Sequence, residues 1–516
     1  MKYRLLERYY LFNSYKSVKI KDMRNEKFKD LVFYEIYPTS FYDSNNDGIG
    51  DLKGISEKLD YVKNLGCNAI WFNPFFVSPF KDGGYDIKDF FDIDPKFGNM
   101  DDFLEMVNHA HQLGIKVIVD CVAGHASEEN KEFLMSGEEN RNEYSDLFIW
   151  TESVWNNDPK YKLIAGRHPR NGNYLVNFFS VQPAFNYGFN HIDDPKWQMS
   201  YKDPRTFQAR NYLIKIIKFW LEKGVDGFRV DMADSLVKND DDKEATIEVW
   251  NYVFKEVRKD YPDAFFVSEW CNPYQSFKAG FDADFVLDHW DTYYHHFIRS
   301  GDYSIGPSIL NGNNFDYFLK DLKHRTDIAK QLGGYLAPIS GNHDVTRLAN
   351  YTDEAGLRLY YLLMFALPGI PFIYYGDEIG MKFVDLPNKD GGYQRVGSRT
   401  PMQWDHSKND GFSKADTLYL PVNTASDITV EDNLKDPSSL YHFIQKLIKI
   451  RKEDKDLQSD DIDIGEDQRV LCIKRGSTIL LINLSNKDVE YQASEVLIST
   501  SDKPYLPPRH GVIYKI

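Results

Sequence analysis

The stretch GFRVD, Gly227 to Asp231, decides how the rest of the chain is read. It is short, and a strand's period of two puts Arg229 and Asp231 on the same face, where a guanidinium can hold a carboxylate ionised and oriented. Seven other runs share this form, apolar or aromatic stretches that end in polar residues. They are Val32 to Tyr37, Ala69 to Phe72, Lys116 to Asp120, Phe265 to Glu269, Phe285 to Leu287, Leu336 to Ser340 and Phe372 to Tyr375. Longer segments of helical period alternate with them, as in repeated β-α units around a parallel sheet. Eight such strands predict an α/β chain closed into a (β/α)8 barrel, with the strand ends gathered at one mouth.

The spacing is uneven. About a hundred residues separate the third and fourth strands, too many for an ordinary connection, and 126–196 is rich in Asn, Tyr, Trp and Gly with little helical period. That predicts an inserted domain over 126–196, with the barrel formed by 29–125 and 197–455. After a helical stretch from Ser438 to Lys455, short strands such as RVLCIKR and STILLINLS predict an antiparallel β domain over 456–516. Residues 1–28 read as an N-terminal extension with no assigned role.

Composition narrows the partners. The 516 residues hold 62 Lys and Arg against 78 Asp and Glu, a net charge of −16 that repels phosphate backbones and anionic lipid. Neither nucleic acid nor a membrane is an expected partner, and nothing specifies a protein partner. No signal-like or 18-residue apolar run occurs, and the four cysteines are scattered without a CxxC pair, so the expected location is the cytoplasm. Aromatic residues reach 15%, which suits a large core or platforms for polyhydroxylated ligands.

Carboxylates at barrel strand ends are catalytic candidates. Asp231 beside Arg229 reads as a nucleophile. Glu269 precedes Trp270, whose apolar ring would raise a carboxyl pKa and suit it to act as a general acid. Asp120, His125, His343 and Asp344 stand at two further strand ends. Two carboxylates about 5 Å apart are what double displacement at an anomeric carbon requires.

In order along the chain, DCVAGH, GFRVD, the Glu of FVSEW and SGNHD resemble the motifs of glycoside hydrolase family 13, the α-amylase superfamily, from about Lys27 to the C-terminus. The resemblance implies a barrel with domain B after its third strand and a C-terminal β domain. It also implies Asp231 as nucleophile, Glu269 as acid/base and Asp344 as transition-state stabiliser, with Arg229, His125 and His343 around the −1 sugar. The calcium ligands of many α-amylases fall on Gly124, Ala184 and Ser235, which cannot serve that purpose, so that calcium site is expected to be absent.

The loop DSNNDGIGD instead offers Asp43, Asn45, Asp47 and Asp51 at alternating positions, an oxygen cage for a hard cation. It looks like the metal loop of oligo-1,6-glucosidases, where the Ile49 carbonyl would complete the set, and a structural Ca²⁺ is the expected cofactor. KDGGYD and RTPMQW point to the same branch. By that likeness Asp82 and Arg399 face each other across the pocket floor and grip the non-reducing-end sugar, while Tyr85 stacks on its apolar face. The implied function is a retaining, exo-acting α-glucosidase of short α-gluco-oligosaccharides. Met232 after the nucleophile matches neither the α-1,4 nor the α-1,6 pattern, so the linkage is left open. The stretch GFSKADTLYLPV looks as much like trehalose synthases as like oligoglucosidases, and a trehalose synthase-type transglycosylase and a non-catalytic binding member are the alternatives.

Overall fold

The protein is described here by a computed structural model covering residues 26–287, 294–299, 308–312, 315–391, 395–466 and 469–516. Most of the extension over 1–28 lies outside the described residues.

Eight parallel strands form one sheet: β1 Phe33–Ile36, β2 Ala69–Phe72, β3 Lys116–Val122, β4 Gly227–Asp231, β5 Phe265–Ser268, β6 Ala283–Val286, β7 Tyr335–Pro338 and β8 Phe372–Tyr374. From β1 to β7 each strand pairs with the next, and β8 pairs with β1. A parallel bridge between Ile339 and Phe372 joins the end of β7 to β8 and closes the barrel. Nearly every strand residue is buried, since helices cover the outside and side chains fill the inside. The sixth strand begins two residues before the expected Phe285, because Asp284 reads as a turn residue but sits inside the strand.

Phe33, Ala69, Ile118, Phe265 and Phe372 fill the lower interior, with Phe33 stacked on Phe372 at 4.3 Å between centroids. Phe28, in the short turn Glu26–Phe28, packs edge-on against Phe265 at 4.9 Å and plugs the barrel below.

Between β3 and β4 the inserted segment carries a helix, Lys131–Ser136, and a two-stranded ladder, Leu163–Ile164 with Tyr174–Leu175. It has an apolar core of its own around Ile149, Leu175, Phe189 and Trp197. After the helix Leu440–Glu453, strands β9 Asp463–Ile464, β10 Val470–Arg475, β11 Thr478–Asn483, β12 Glu495–Ser499 and β13 His510–Lys515 form an antiparallel sheet in the order β9-β10-β11-β13-β12. Two buried arginines, one on the helix Leu440–Glu453 and one on β10, reach the barrel helix Glu354–Ala366 and the turn after it. Arg451 donates to the carbonyls of Phe365, Leu367 and Gly369, and Arg475 to that of Ala366, satisfying the open C-terminal end of the helix Glu354–Ala366.

Candidate active site

Alternation on the inner strand faces builds the site. Going up the barrel, Phe33 is followed by Glu35, Ala69 by Trp71, Ile118 by Asp120, Gly227 by Arg229 and Asp231, and Phe265 by Val267 and Glu269. The lower ring is apolar and the upper ring charged, so each charge needs a partner within the protein.

Arg229, 1% exposed, is the centre of one half. Its Nη1 donates to Asp120 Oδ1 at 2.6 Å and to Asp231 Oδ1 at 3.1 Å, and its Nη2 lies 2.9 Å from Glu269 Oε1. One cation serves three carboxylates. Burial therefore outweighs Arg229 and pushes Asp231 and Glu269 each up to about 7. Both carboxyls are thus shifted towards neutrality by the same cause, burial beside a single cation. Met232 adopts a left-handed conformation, φ 41° and ψ 47°, and its N–H donates to Glu269 Oε2 at 2.9 Å. Such a backbone costs about 1–3 kcal/mol in a non-glycine residue, so the acid is held at the expense of local strain.

Across the mouth the balance reverses. Asp344 Oδ1 accepts from Arg395 Nη1 and Arg399 Nη2, both at 2.8 Å, and Oδ2 lies 3.4 Å from His343 Nε2. Burial opposes ionisation, but His343 and the two guanidiniums outweigh it and hold this carboxyl far below the usual carboxylate range.

The expected pairing of Asp82 with Arg399 is not formed. Asp82 Oδ1 accepts from Arg395 Nη2, and its Oδ2 accepts from Gln182 Nε2 of the insertion at 2.6 Å. Arg399 donates instead to Asp344, to the His343 carbonyl at 2.9 Å and to the Tyr37 hydroxyl at 3.3 Å. The turn Val396–Ser398 brings both guanidiniums onto Asp344 and leaves Arg395 spanning Asp344 and Asp82. Arg395 was missed because RTPMQW begins only at Arg399. The KDGGYD turn is drawn together by Asp86, whose carboxylate accepts from the N–H groups of Lys81 and Asp82, both at 3.0 Å. A Cβ on Gly83, at φ 57°, would overlap Arg399 Nη1, so this glycine is required for the approach.

Tyr85 is 4% exposed and stacks on His343 at 5.2 Å and 12°, so one ring face is already taken. Its hydroxyl donates to Asp120 Oδ2 at 3.0 Å and lies 2.8 Å from His343 Nε2. With that proton committed to Asp120, the tyrosine oxygen accepts from Nε2–H. His343, driven towards its neutral form by burial, has its Nδ1 2.9 Å from both Asn73 Nδ2 and Glu35 Oε1. Glu35 is buried there, with its carboxyl pushed well up by desolvation. Sequence reading passed over Glu35 and Asn73 for lack of any motif around them.

His125 Nε2 donates to the Tyr85 carbonyl at 3.1 Å. Its Nδ1 accepts from Asn177 Nδ2 at 3.2 Å. Ala184 pairs with His125 in a β-bridge, and a Cβ on Gly124 would crowd Asn177 Nδ2 and Ser235 Oγ. The three positions expected to lack calcium ligands thus come together. A lysine fills the space: Lys238 Nζ donates to Asn177 Oδ1 at 2.6 Å and to the Ser235 carbonyl at 2.5 Å.

In the loop after β1, Asp43 accepts from the N–H groups of Asn46 and Gly48 and from Ser413 Oγ. Asp51 caps the helix Leu52–Glu57 through Gly54 N–H and also holds Ser44. Asn45 Oδ1 accepts from Asp47 N–H, and Asp47 Oδ1 accepts from Ile49 N–H. The donor set is all hard oxygen, and several of these atoms keep a second lone pair. Among the described residues, however, no three His, Cys, Asp or Glu side chains converge as a metal-binding group, so in this geometry the loop is closed by its own hydrogen bonds.

Residues 35–460 match the α-amylase catalytic domain. The chain belongs to the α-amylase family. It is 31% identical to an oligo-1,6-glucosidase of Parageobacillus thermoglucosidasius, over 92% of this chain and 94% of that one. It is 30% identical to the trehalose synthase/amylase TreS of Mycolicibacterium smegmatis, over 82% of this chain and 76% of that one. Among solved structures, a variant of the trehalulose synthase MutB in complex with TRIS superposes with a TM-score of 0.79 at 25% identity, covering 95% of this chain and all 100% of that one. This α-amylase family member therefore falls among glycoside hydrolases and transglycosylases that differ in product. Among its described residues no helix is long and apolar enough to cross a membrane.

Proposed function

We propose that the chain is a retaining, exo-acting α-glucosidase that removes glucose from the non-reducing ends of short α-gluco-oligosaccharides. The observation that carries the reading is the placement of Asp231 and Glu269 on one guanidinium, that of Arg229, facing an Asp344 that two other guanidiniums bind. Asp231, as carboxylate, attacks the anomeric carbon while Glu269 gives its proton to the departing glycosidic oxygen, and the C–O bond breaks. Asp344 stabilises the positive charge that develops on the ring. Glu269, now ionised, takes a proton from water, which attacks the anomeric carbon, releases glucose and frees Asp231 with net retention. His125, His343 and Arg229 orient the sugar and the nucleophile.

The exo mode is supported by the Asp82, Arg395 and Asp344 bridge, which spans one side of the mouth from Asp344 to the turn held by the insertion. Glucose should be released from maltose or isomaltose with the α anomer appearing first by NMR. A maltoheptaoside blocked at its non-reducing end should be almost inert, and rapid internal cleavage of it would return the reading to an endo-acting amylase. Transfer to a second sugar is the competing outcome, since water and sugar compete for one glycosyl-enzyme and the relatives include a trehalose synthase. Trehalose accumulating from maltose in excess over glucose would decide for it.

We also propose Ca²⁺ in the Asp43 to Asp51 loop, with a structural role and no part in the chemistry. Binding to the folded state alone should raise Tm with log concentration above Kd. An unchanged melt after chelation and readdition, with no metal by elemental analysis, would refute it.

A further inference from the structure

Asp284 on β6 faces away from the barrel interior, where its neighbours Ala283 and Phe285 pack, and is 1% exposed. It has no basic side chain as its principal partner. Its Oδ1 collects three donors from the strand end beside it: Ser268 Oγ at 2.7 Å, Cys271 N–H at 3.1 Å and Trp270 N–H at 3.3 Å. Those residues flank Glu269 on both sides. Oδ2 finds no partner among the described residues.

Glu269 is held on the other side by β4, where its N–H donates to the Val230 carbonyl at 3.0 Å and its carbonyl accepts from Ala233 N–H at 3.2 Å. Its main chain is thus pinned between β4 and Asp284. The pin matters because the chain turns sharply here, with Cys271 in a left-handed conformation at φ 62° and its carbonyl accepting from Arg325 Nη1 at 3.0 Å. Without an acceptor at position 284, two buried N–H groups and a buried hydroxyl lose a partner, and a left-handed non-glycine turn loses its brace.

We propose that Asp284 is the positioning residue of the general acid/base: a buried carboxylate behind the strand end that fixes the peptide frame from which Glu269 reaches the glycosidic oxygen. This rests on the assignment of Glu269 made above. Proton transfer demands hydrogen-bond reach, so a frame shifted by a fraction of an ångström weakens acid catalysis before it weakens binding or nucleophilic attack.

The test is the dependence on leaving group, measured for wild type, E269Q, D284N and D284A with maltose and with α-glucosyl fluoride, whose fluoride departs without acid assistance. D284A should lose about 10- to 100-fold in kcat on maltose, within the range that general acid catalysis supplies. On the fluoride it should lose less than about 3-fold in the bond-breaking step, read as burst rate. Activity on the fluoride doubles as the check that D284A is folded. D284N keeps an acceptor oxygen for the three donors and should stay within about 3-fold of wild type on both substrates. Equal losses of D284A on the two substrates, or none on either, would overturn the proposal. If E269Q itself shows no difference between the two substrates, the acid assignment falls first, and the role of Asp284 with it.

Discussion

The two halves of the barrel mouth hold the same kinds of residue in opposite proportion. On the β4 and β5 side one guanidinium is shared by Asp120, Asp231 and Glu269, whereas on the β7 side Asp344 receives two, that of Arg399 and that of Arg395, which also reaches Asp82. Burial acts on both. Where three carboxylates share one guanidinium it wins, and Asp231 and Glu269 are pushed up; where two guanidiniums converge on one carboxylate it loses, and Asp344 is held far below the usual carboxylate range. Neighbouring carboxylates in one cleft thus acquire different chemistry from their partners alone.

The largest expected effect comes from breaking the shared side. Asp231→Asn should lower turnover on the order of 10⁴-fold or more with the fold intact, since an amide forms no glycosyl-enzyme. Glu269→Gln should cost about 10²- to 10⁴-fold on maltose. Wild-type kcat/KM should rise with pH as the pair loses its first proton and fall as Glu269 loses the second, a bell around neutrality. On α-glucosyl fluoride the bond-breaking rate of E269Q should keep the rising limb and lose the falling one. A falling limb that survives in E269Q would break the assignment.

A smaller effect tests how the charged side is wired. A double-mutant cycle of Asp82→Ala with Arg395→Ala, read in kcat/KM, should show coupling of about 1–3 kcal/mol, while the cycle of Asp82→Ala with Arg399→Ala should be close to additive. The reverse ranking would restore the pairing expected from the motifs.

The smallest concerns a carboxyl whose hydrogen-bond partners among the described residues are two tyrosine hydroxyls. Glu378, fully buried, accepts from the hydroxyls of Tyr34 at 2.8 Å and Tyr61 at 2.6 Å, and burial pushes it up to about 7. Its folded pKa lies above its unfolded value, so the native state binds more proton between about pH 4.3 and 7, and stability falls as pH rises through that window. Glu378→Gln lacks this dependence. Its stability relative to wild type in urea melts should improve by on the order of 2 kcal/mol from pH 4.5 to 8. A constant difference across that range would show that Glu378 is ionised in the native state.

The parts legible in sequence were those with a local period. Strands with apolar inner faces and charged ends announced the barrel, and Asp231, Glu269, Asp344, Arg229 and both histidines stand at strand ends, where period and position along the strand are enough to place them. Asp284 and Glu35 escaped notice because a lone acid inside a strand looks like a turn residue or a surface charge until its neighbours are known. Arg395 escaped because the chain around it has no period.

By itself the sequence determined the order of strands, the face on which each charge emerges and the height in the barrel at which apolar residues give way to charged ones, all consequences of the two-residue repeat. Only the tertiary structure decided which charge meets which: Asp82 with Arg395, Arg229 with three carboxylates, Lys238 between Asn177 and Ser235, Glu35 behind His343. Those pairings join residues far apart in sequence. They depend on where loops bend and on which partner lies within about 3 Å in a space without water, and no local pattern carries that distance.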